Sequence, residues 1–287
     1  MKSGNSIAYS GNFRNVKTVF VVLSGLGVPA EAYTWLAAHL KSHTPDSGVL
    51  LVERAGYGGS AWRASGDDRM ARATEDLADL LSRLQVEDSF VVGVGHSLGG
   101  EVLRRISWEH PSLFDAYMLL DATNPAQFDD GVFPQWEKDN MLAQIRKDEV
   151  IAKLGFGSLM VPAIPTTELP ASYRRRADIA QRDSKIWTSA RKELKSLFDS
   201  KLRKKAQLFS PGSRGLVFAA EATYNKPELK KLQDDIAREV MTTNGDPSSS
   251  QPIIIDGDHM DMVLRSTHAA RVALEISLFV SSGNEFR

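Results

Sequence analysis

Six short apolar runs, separated by turn residues or by helical patterns, stand out along the chain. They are Val19–Leu23, Gly48–Val52, Phe90–Val94, Ala116–Leu120, Leu216–Ala220 and Pro252–Ile255. Runs of this length that are rich in β-branched and aliphatic residues are typical of strands buried on both faces of a sheet. The sequence therefore predicts a sheet that other elements cover on each side.

Helical patterns occupy most of the intervals between these runs. In the segment Met70–Leu84, leucines at a spacing of three and four fall on one helix face. The other predicted helices are Pro29–Lys41, Glu101–His110, Glu228–Thr242 and Thr267–Val280. Because strands that alternate with helices form parallel βαβ units, we predict an α/β fold with a mostly parallel sheet flanked by helices.

The alternation breaks between the fourth and fifth apolar runs. From about Asn124 to Phe209 the chain shows helical and loop patterns without a clear strand. Apolar residues in its second half fall at helical spacing: Ile186, Ala190, Leu194, Leu197, Phe198 and Leu202. We therefore predict a core formed by residues 1–123 and 209–287, interrupted by a helical cap at residues 124–208. The polar segment Asn244–Gln251 is predicted to be an exposed loop.

Composition and charge limit the classes of protein that this chain can belong to. Its 287 residues, of which 42% are hydrophobic and 25% charged, are ordinary for a soluble globular protein. A net charge of −1 provides no field that would attract nucleic acid or an anionic membrane. The absence of cysteine excludes disulfides and thiolate nucleophiles. Met1–Lys17 is polar, and no apolar window reaches the roughly 20 residues that span a bilayer, so we expect a cytoplasmic protein without membrane contact.

The segment Gly95-His96-Ser97-Leu98-Gly99 matches the G-x-S-x-G pattern of a nucleophile elbow. A predicted strand precedes it and a predicted helix follows it, which is the context that this motif requires. The sharp turn raises the serine hydroxyl above the sheet, and the two glycines let neighbouring backbone pass without a clash. The positive end of the following helix faces the developing oxyanion. Ser97 is therefore the candidate nucleophile.

Four motifs, in the expected order, resemble those of the α/β-hydrolase superfamily. They are Val19–Gly27 (a strand and "HG" turn), Arg54–Ser60 (a "DRxGxGxS" loop), Gly95–Gly100 (the elbow) and Gly257–His259 (the loop of the catalytic histidine). The resemblance covers nearly the whole chain outside the predicted cap. Two positions depart from it, since Ser24 replaces the usual histidine of the "HG" turn and Glu53 replaces the usual aspartate.

The resemblance implies a serine nucleophile, a histidine base and a backbone oxyanion hole, without a metal, nucleotide or other cofactor. His259 is the expected base, because it alone among the histidines follows a buried strand in the loop where this fold carries that residue. By position, the N–H groups of Leu26 and Leu98 would form the oxyanion hole. His39 and His43 share a helix face, which we interpret as solvated rather than as a metal site.

The acid that orients the histidine has two candidates. The family normally places it after the next-to-last strand, where Thr223 occupies the expected position and Glu221 is the nearest carboxylate. Some members place the acid after the strand that follows the elbow helix, where Asp121 stands. We favour Asp121 and keep Glu221 as the alternative. Further aspartates adjoin the histidine in sequence and rank lower: Asp256, Asp258 and Asp261.

Substrate selection is expected to lie in the cap, which would cover the carboxyl ends of the strands, where α/β sheets bind ligands. Residues that could line a pocket for an apolar small molecule are Phe128, Phe133, Trp136, Phe156, Met160 and Trp187. They could equally form the core of the cap itself. Ser172–Lys205 carries 12 Lys/Arg against 4 Asp/Glu, which we interpret as a solvated helix surface, with attraction of an anionic substrate or partner as the alternative.

These residues favour a serine hydrolase that cleaves a carboxylic ester or lactone through an acyl-enzyme intermediate. A serine at the elbow argues against the haloalkane dehalogenases and epoxide hydrolases of this superfamily, which use an aspartate nucleophile. Two alternatives stay open. The same triad could serve a C–C bond hydrolase or a cofactor-free lyase or cyclase, and the fold could also serve a non-catalytic ligand-binding receptor.

Overall fold

The described residues form one sheet of seven strands. The computed structural model describes residues 1–283 apart from positions 67, 87, 161–163, 200–207 and 242–249. The strands are β1 Tyr9–Asn12, β2 Thr18–Leu23, β3 Ser47–Val52, β4 Phe90–His96, β5 Ala116–Leu120, β6 Gly215–Ala220 and β7 Ile253–Ile255. Their order across the sheet is β1-β3-β2-β4-β5-β6-β7. β1 pairs antiparallel with β3, and the other neighbouring pairs are parallel.

Helices cover both faces of this sheet. The helices of the described residues are α1 Thr34–His43, α2 Arg69–Leu84, α3 Leu98–Glu109, α4 Gln135–Lys153, α5 Ala171–Arg182, α6 Ser184–Phe198, α7 Glu221–Tyr224, α8 Pro227–Val240, α9 Asp261–Leu264 and α10 Ser266–Gly283. Alternate side chains of β2 enter two apolar cores, because Val19 and Val21 pack with residues of α2 and α3 whereas Phe20 and Val22 pack with residues of α1 and α10. The predicted α/β class, with its sheet buried on both faces, is thus confirmed.

The strands that the apolar runs predict are all present, and their ends shift by at most two residues. The largest strand shift lies at the elbow, where β4 continues to His96. The helix that follows, α3, begins at Leu98 rather than at the predicted Glu101. Ser97 is therefore the single residue between a strand and a helix. A turn this tight is what exposes a side chain at the carboxyl edge of a parallel sheet.

One predicted helix is interrupted at its start. Pro29–Lys41 consists of a 3-10 turn at Ala30–Tyr33 followed by α1, because the backbone of Tyr33, with φ −100° and ψ 11°, departs from helical geometry. Most of the predicted loop Asn244–Gln251, and Leu202 of the predicted cap helix, lie outside the described residues.

The hydropathy pattern does not predict β1. All of its residues are exposed, so its sequence shows no apolar alternation. Its backbone pairs with the edge of β3, and Gly11 permits the close approach, since it has φ +130° and a Cβ there would lie 1.8 Å from the carbonyl oxygen of Val49. Main-chain hydrogen bonds and a glycine, rather than buried side chains, thus define this edge strand.

Residues 124–208, which we call the cap segment, connect β5 to β6. Its described residues form α4, α5, α6 and three short 3-10 turns, with no strand among them. Glu149 of α4 is buried and accepts hydrogen bonds from Lys153, Thr188 and Arg191. Although burial would raise the pKa of Glu149, these partners lower it to about 2, with Arg191 the strongest of them. This ionised carboxylate joins α4 to α6.

Candidate active site

Ser97 occupies the turn between β4 and α3. Its backbone has φ 51° and ψ −119°, a conformation that residues other than glycine rarely adopt. The Ser97 N–H donates to the Leu120 carbonyl at 3.0 Å, and the Ser97 carbonyl accepts from the Thr123 N–H at 3.0 Å. Glycine is required nearby, because a Cβ at Gly95 would lie 2.7 Å, and one at Gly99 2.3 Å, from neighbouring backbone atoms. The strained turn is therefore held by its surroundings.

Asp121, just after β5, contacts His259 in the loop after β7. Nδ1 of His259 and Oδ2 of Asp121 are 2.5 Å apart. The same Oδ2 accepts from the Thr223 hydroxyl at 2.7 Å, and Oδ1 accepts from the Ala220 N–H at 3.4 Å. The Asp121 side chain is 2% exposed and that of His259 is 41% exposed. A buried carboxylate thus engages Nδ1 and leaves Nε2, the other ring nitrogen, available for proton transfer.

The structure brings Asp121, rather than Glu221, to the histidine. Glu221 is the first residue of α7, and its side chain is exposed. Thr223, at the position where the family normally has its acid, donates its hydroxyl to Asp121. The sequence does carry a signal for this contact, namely a hydroxyl residue at the expected acid position together with an aspartate after the neighbouring strand.

The loop after β2 carries Leu26, whose amide the resemblance assigns to the oxyanion hole. The amides on both sides of it are engaged, because the Gly25 N–H donates to the Tyr33 hydroxyl at 2.8 Å and the Gly27 N–H donates to the Tyr57 hydroxyl at 3.1 Å. In the described part of the chain, no acceptor is bonded to the Leu26 N–H. The loop therefore presents one free amide between two engaged ones.

Leu98, the other residue assigned to the oxyanion hole, is the first residue of α3. Its N–H is one of the amides that a helix leaves without an internal acceptor, and it lies at the positive end of the helix dipole. The loop after β2 approaches the same turn, since a Cβ at Gly25 would lie 3.3 Å from Cβ of Ser97. The two candidate donors thus lie on backbone segments that meet at Ser97.

His96 connects that loop with the histidine loop. Its Nε2 lies 3.0 Å from the carbonyl oxygen of His259 and its Nδ1 lies 2.8 Å from the Tyr33 hydroxyl. A carbonyl only accepts, so Nε2–H donates to it, and Tyr33 donates to the unprotonated Nδ1. Burial, and secondarily the positive charge of His259, hold the pKa of His96 well below its ordinary value. His96 lies within the elbow motif, but that motif does not predict this link.

The six aromatic and apolar residues proposed to line a pocket differ in their burial. Phe128 is buried and packs against Phe198. Trp187 is buried, donates its indole N–H to the Gln181 carbonyl at 2.7 Å, and has a ring atom 3.8 Å from where a Cβ of Gly27 would lie. Phe133 and Met160 are half-buried and pack against an apolar core. Trp136 and Phe156 are 63% and 55% exposed, so the structure does not place these two around a pocket.

The described residues show neither a cluster of metal ligands nor a membrane-spanning helix. No group of three or more histidine, aspartate or glutamate side chains is placed to hold a metal ion in that part of the chain. His39, a member of the paired histidines, has its Nε2 3.0 Å from the Ser266 hydroxyl and stacks on Trp35. No described helix combines the length and the apolar character needed to cross a membrane.

The fold and this arrangement agree with a comparison to known families. The model of the α/β-hydrolase family matches residues 20–275, so the chain belongs to this family. A curated relative, an esterase of Mycobacterium tuberculosis, is 33% identical over 116 residues, which are 40% of this chain and 32% of the relative. The match thus spans about a third of that esterase.

Solved structures with the same fold include several hydrolases. An esterase from Exiguobacterium antarcticum has a TM-score of 0.68 at 16% identity, covering 97% of this chain and 96% of the other. An enol-lactonase from Burkholderia xenovorans has a TM-score of 0.63 at 15% identity, covering 95% of this chain and 96% of the other. Identities this low establish the shared fold and leave the substrate to be argued from the site.

Proposed function

We propose that this protein cleaves carboxylic esters or lactones of small apolar molecules, with Ser97 as nucleophile, His259 as general base and Asp121 as the orienting acid. The observations that carry the proposal are the 2.5 Å contact between Nδ1 of His259 and Oδ2 of Asp121 and the strained backbone of Ser97 at the elbow. That contact selects the tautomer in which Nε2 can accept a proton.

The first half of the reaction follows from these roles. Oγ of Ser97 attacks the carbonyl carbon while Nε2 of His259 accepts the hydroxyl proton. The carbonyl oxygen becomes an oxyanion that accepts hydrogen bonds from the N–H groups of Leu26 and Leu98. Collapse of this intermediate breaks the bond to the leaving oxygen, which takes the proton back from His259 and departs as an alcohol, or stays attached when the substrate is a lactone.

The second half releases the acyl group. Water attacks the carbonyl carbon of the acyl-enzyme and gives one proton to His259, and the same two amides bind the second oxyanion. Collapse then restores the Ser97 hydroxyl with the proton from His259 and frees the carboxylic acid. Asp121 keeps its charge throughout and stabilises the imidazolium that forms in each half.

Two features support an ester or a lactone as the substrate. The relatives described above include proteins named as esterases and one named as an enol-lactonase. Trp187 brings an aromatic ring next to the loop that carries Leu26, which suits an apolar substrate. We therefore expect neutral, apolar acyl groups to be preferred over charged ones.

Labelling with a fluorophosphonate, followed by assay against p-nitrophenyl esters of increasing acyl length and a set of lactones, tests this function. We expect the label on Ser97 and hydrolysis of at least one ester or lactone series. Ser97→Ala should lose about three or more orders of magnitude in turnover. Ser82→Ala, at an exposed serine of α2, is the matched control and should retain full activity. A wild-type protein that takes no label and hydrolyses none of these substrates would contradict the proposal.

A further inference from the structure

A buried ion pair holds the loop that carries the Leu26 amide. The Arg54 guanidinium donates to the carbonyl oxygens of Ser24 and Gly25, the latter at 3.0 Å. Its Nε and Nη2 also donate to the two carboxylate oxygens of Glu193, at 2.8 and 3.1 Å. The Arg54 and Glu193 side chains are 4% and 3% exposed. One guanidinium thus joins loop carbonyls to a carboxylate of α6, with water excluded.

Tyr57 adds a second connection between the same carboxylate and the loop. Its hydroxyl donates to Oε2 of Glu193 at 2.5 Å and accepts from the Gly27 N–H at 3.1 Å. Because an ionised carboxylate only accepts, Glu193 orients the hydroxyl proton towards itself and leaves the oxygen free to accept from the loop. Burial, and secondarily the charge of Glu193, raise the pKa of Tyr57, which keeps the hydroxyl protonated.

Glu193 belongs to the cap segment, not to the core that carries the proposed triad. Two other residues of α6 pack against the same loop, since atoms of Trp187 and Ala190 would lie 3.8 and 3.9 Å from a Cβ at Gly27. Burial opposes the charge of Arg54, yet the carboxylate of Glu193 raises the pKa of this guanidinium above its ordinary value. The guanidinium of Arg54 therefore keeps its charge when the cap helix lies on the loop.

We propose that Glu193 is a positioning residue for the oxyanion hole, acting through Tyr57 and Arg54 on the loop that presents the Leu26 amide. The inference rests on the proposed function, because an oxyanion hole has a role only if an oxyanion forms. Glu193 would touch neither substrate nor Ser97. It would instead preorganise one donor for the transition state, and such an effect changes kcat more than KM.

Two variants separate this role from a merely structural one. Tyr57→Phe removes the hydroxyl between Glu193 and Gly27 and keeps the ring, and Glu193→Gln keeps the shape and removes the charge. We expect kcat for a good ester substrate to fall about 10- to 100-fold in each, as for a slightly misplaced catalytic group, with KM changed less than about threefold. Tyr117→Phe is the matched control, because it removes another buried tyrosine hydroxyl, one without a hydrogen-bond partner among the described residues. Its kcat should equal that of the wild type.

A trifluoromethyl ketone inhibitor provides an independent readout. It forms a tetrahedral oxyanion on the nucleophilic serine, so its inhibition constant should rise by the same factor as kcat falls. The non-reacting methyl ketone of the same chain should bind all variants equally. Equal kcat in Tyr57→Phe and Tyr117→Phe would overturn the inference, as would equal losses in affinity for the two ketones.

Folding is followed by circular dichroism and thermal unfolding in every variant. If Glu193→Gln fails to fold, Tyr57→Phe decides the question alone. If both fail while Tyr117→Phe folds, Glu193 and Tyr57 serve stability and the positioning role is wrong. A wild-type enzyme that is inactive on all esters and lactones and unlabelled at Ser97 would instead contradict the proposed function, which separates the two failures.

Discussion

The hydroxyl of Thr223 donates to Oδ2 of Asp121 at 2.7 Å, the same oxygen that lies 2.5 Å from Nδ1 of His259. Thr223 follows β6, whereas Asp121 follows the neighbouring strand β5. The ends of two adjacent strands therefore supply the carboxylate of Asp121 and the hydroxyl that binds it. A hydrogen bond from Thr223 restricts the carboxylate and so helps to hold the imidazole in one orientation.

Replacing the carboxylate by its amide tests the orienting role of Asp121. Asp121→Asn keeps the shape but can present a donor to Nδ1, which favours the wrong tautomer of His259. A loss of about ten-thousandfold in kcat/KM is expected, by analogy with the aspartate of another serine-hydrolase triad. Glu221→Gln, at the exposed alternative position, should lose less than about tenfold. Steady-state kinetics on one ester, with folding verified, distinguishes them, and the reverse ranking would transfer the role to Glu221.

Removing the hydroxyl of Thr223 tests the second contact to Asp121. Thr223→Val has nearly the same shape but cannot donate, so we expect kcat/KM to fall about tenfold, the equivalent of roughly 1.4 kcal/mol for a hydrogen bond to a charged group. Thr223→Ser restores the donor and should return most of the activity. If the valine and serine variants have the same kcat/KM, the Thr223 hydroxyl does not support the proposed triad.

The lowered pKa of His96 leads us to expect that the stability of the protein depends on pH. Its pKa lies well below 6.5 in the folded protein because of burial and then the charge of His259, so the unfolded chain binds the additional proton. The free energy of unfolding should therefore decrease as pH falls below about 6.5. In His96→Gln, whose side-chain N–H can still donate to the His259 carbonyl, the decrease between pH 7 and 5.5 should be smaller by about 1 kcal/mol. Urea denaturation at the two pH values measures this, and identical decreases would refute it.

For Glu53 we expect a pH dependence of the free energy of unfolding that is opposite in sign to that of His96. Burial, and secondarily the charge of Glu31, raise the pKa of Glu53 to about 7 from its ordinary 4.5. A carboxyl with a raised pKa is most favourable to folding below pH 4.5, and this contribution is lost as pH rises through 7. The difference in free energy of unfolding between Glu53→Gln and the wild type should therefore favour the variant by about 2 kcal/mol more at pH 8 than at pH 5.

Urea denaturation at pH 5 and pH 8 measures this change. The matched control is Glu228→Gln, at an exposed carboxylate in the first turn of α8. It should change the free energy of unfolding by the same amount at both pH values. A Glu53→Gln variant that behaves like this control would show that Glu53 titrates normally. The prediction has structural support, because Oε2 of Glu53 has no hydrogen-bond partner among the described residues.

The positions of the core strands along the chain, and the elbow, could be predicted from sequence because their signals are local. An apolar run such as Val19–Leu23 is buried whatever its neighbours are, and G-x-S-x-G describes one continuous turn. β1 shows the limit of this reasoning, since its residues are exposed and its pairing depends on the backbone of β3. A strand without buried side chains has no hydropathy signal.

Sequence alone therefore determined the α/β class, the family and the candidates Ser97 and His259, because each depends on a short segment and its position in the chain. Tertiary structure decided which carboxylate meets His259, since Asp121 and Glu221 both follow strands and only the packing of those strand ends selects one. It also decided the partner of Arg54, which lies 139 residues away at Glu193. Contacts between distant segments depend on how sheet and cap pack together, and no periodicity or motif within either segment encodes them.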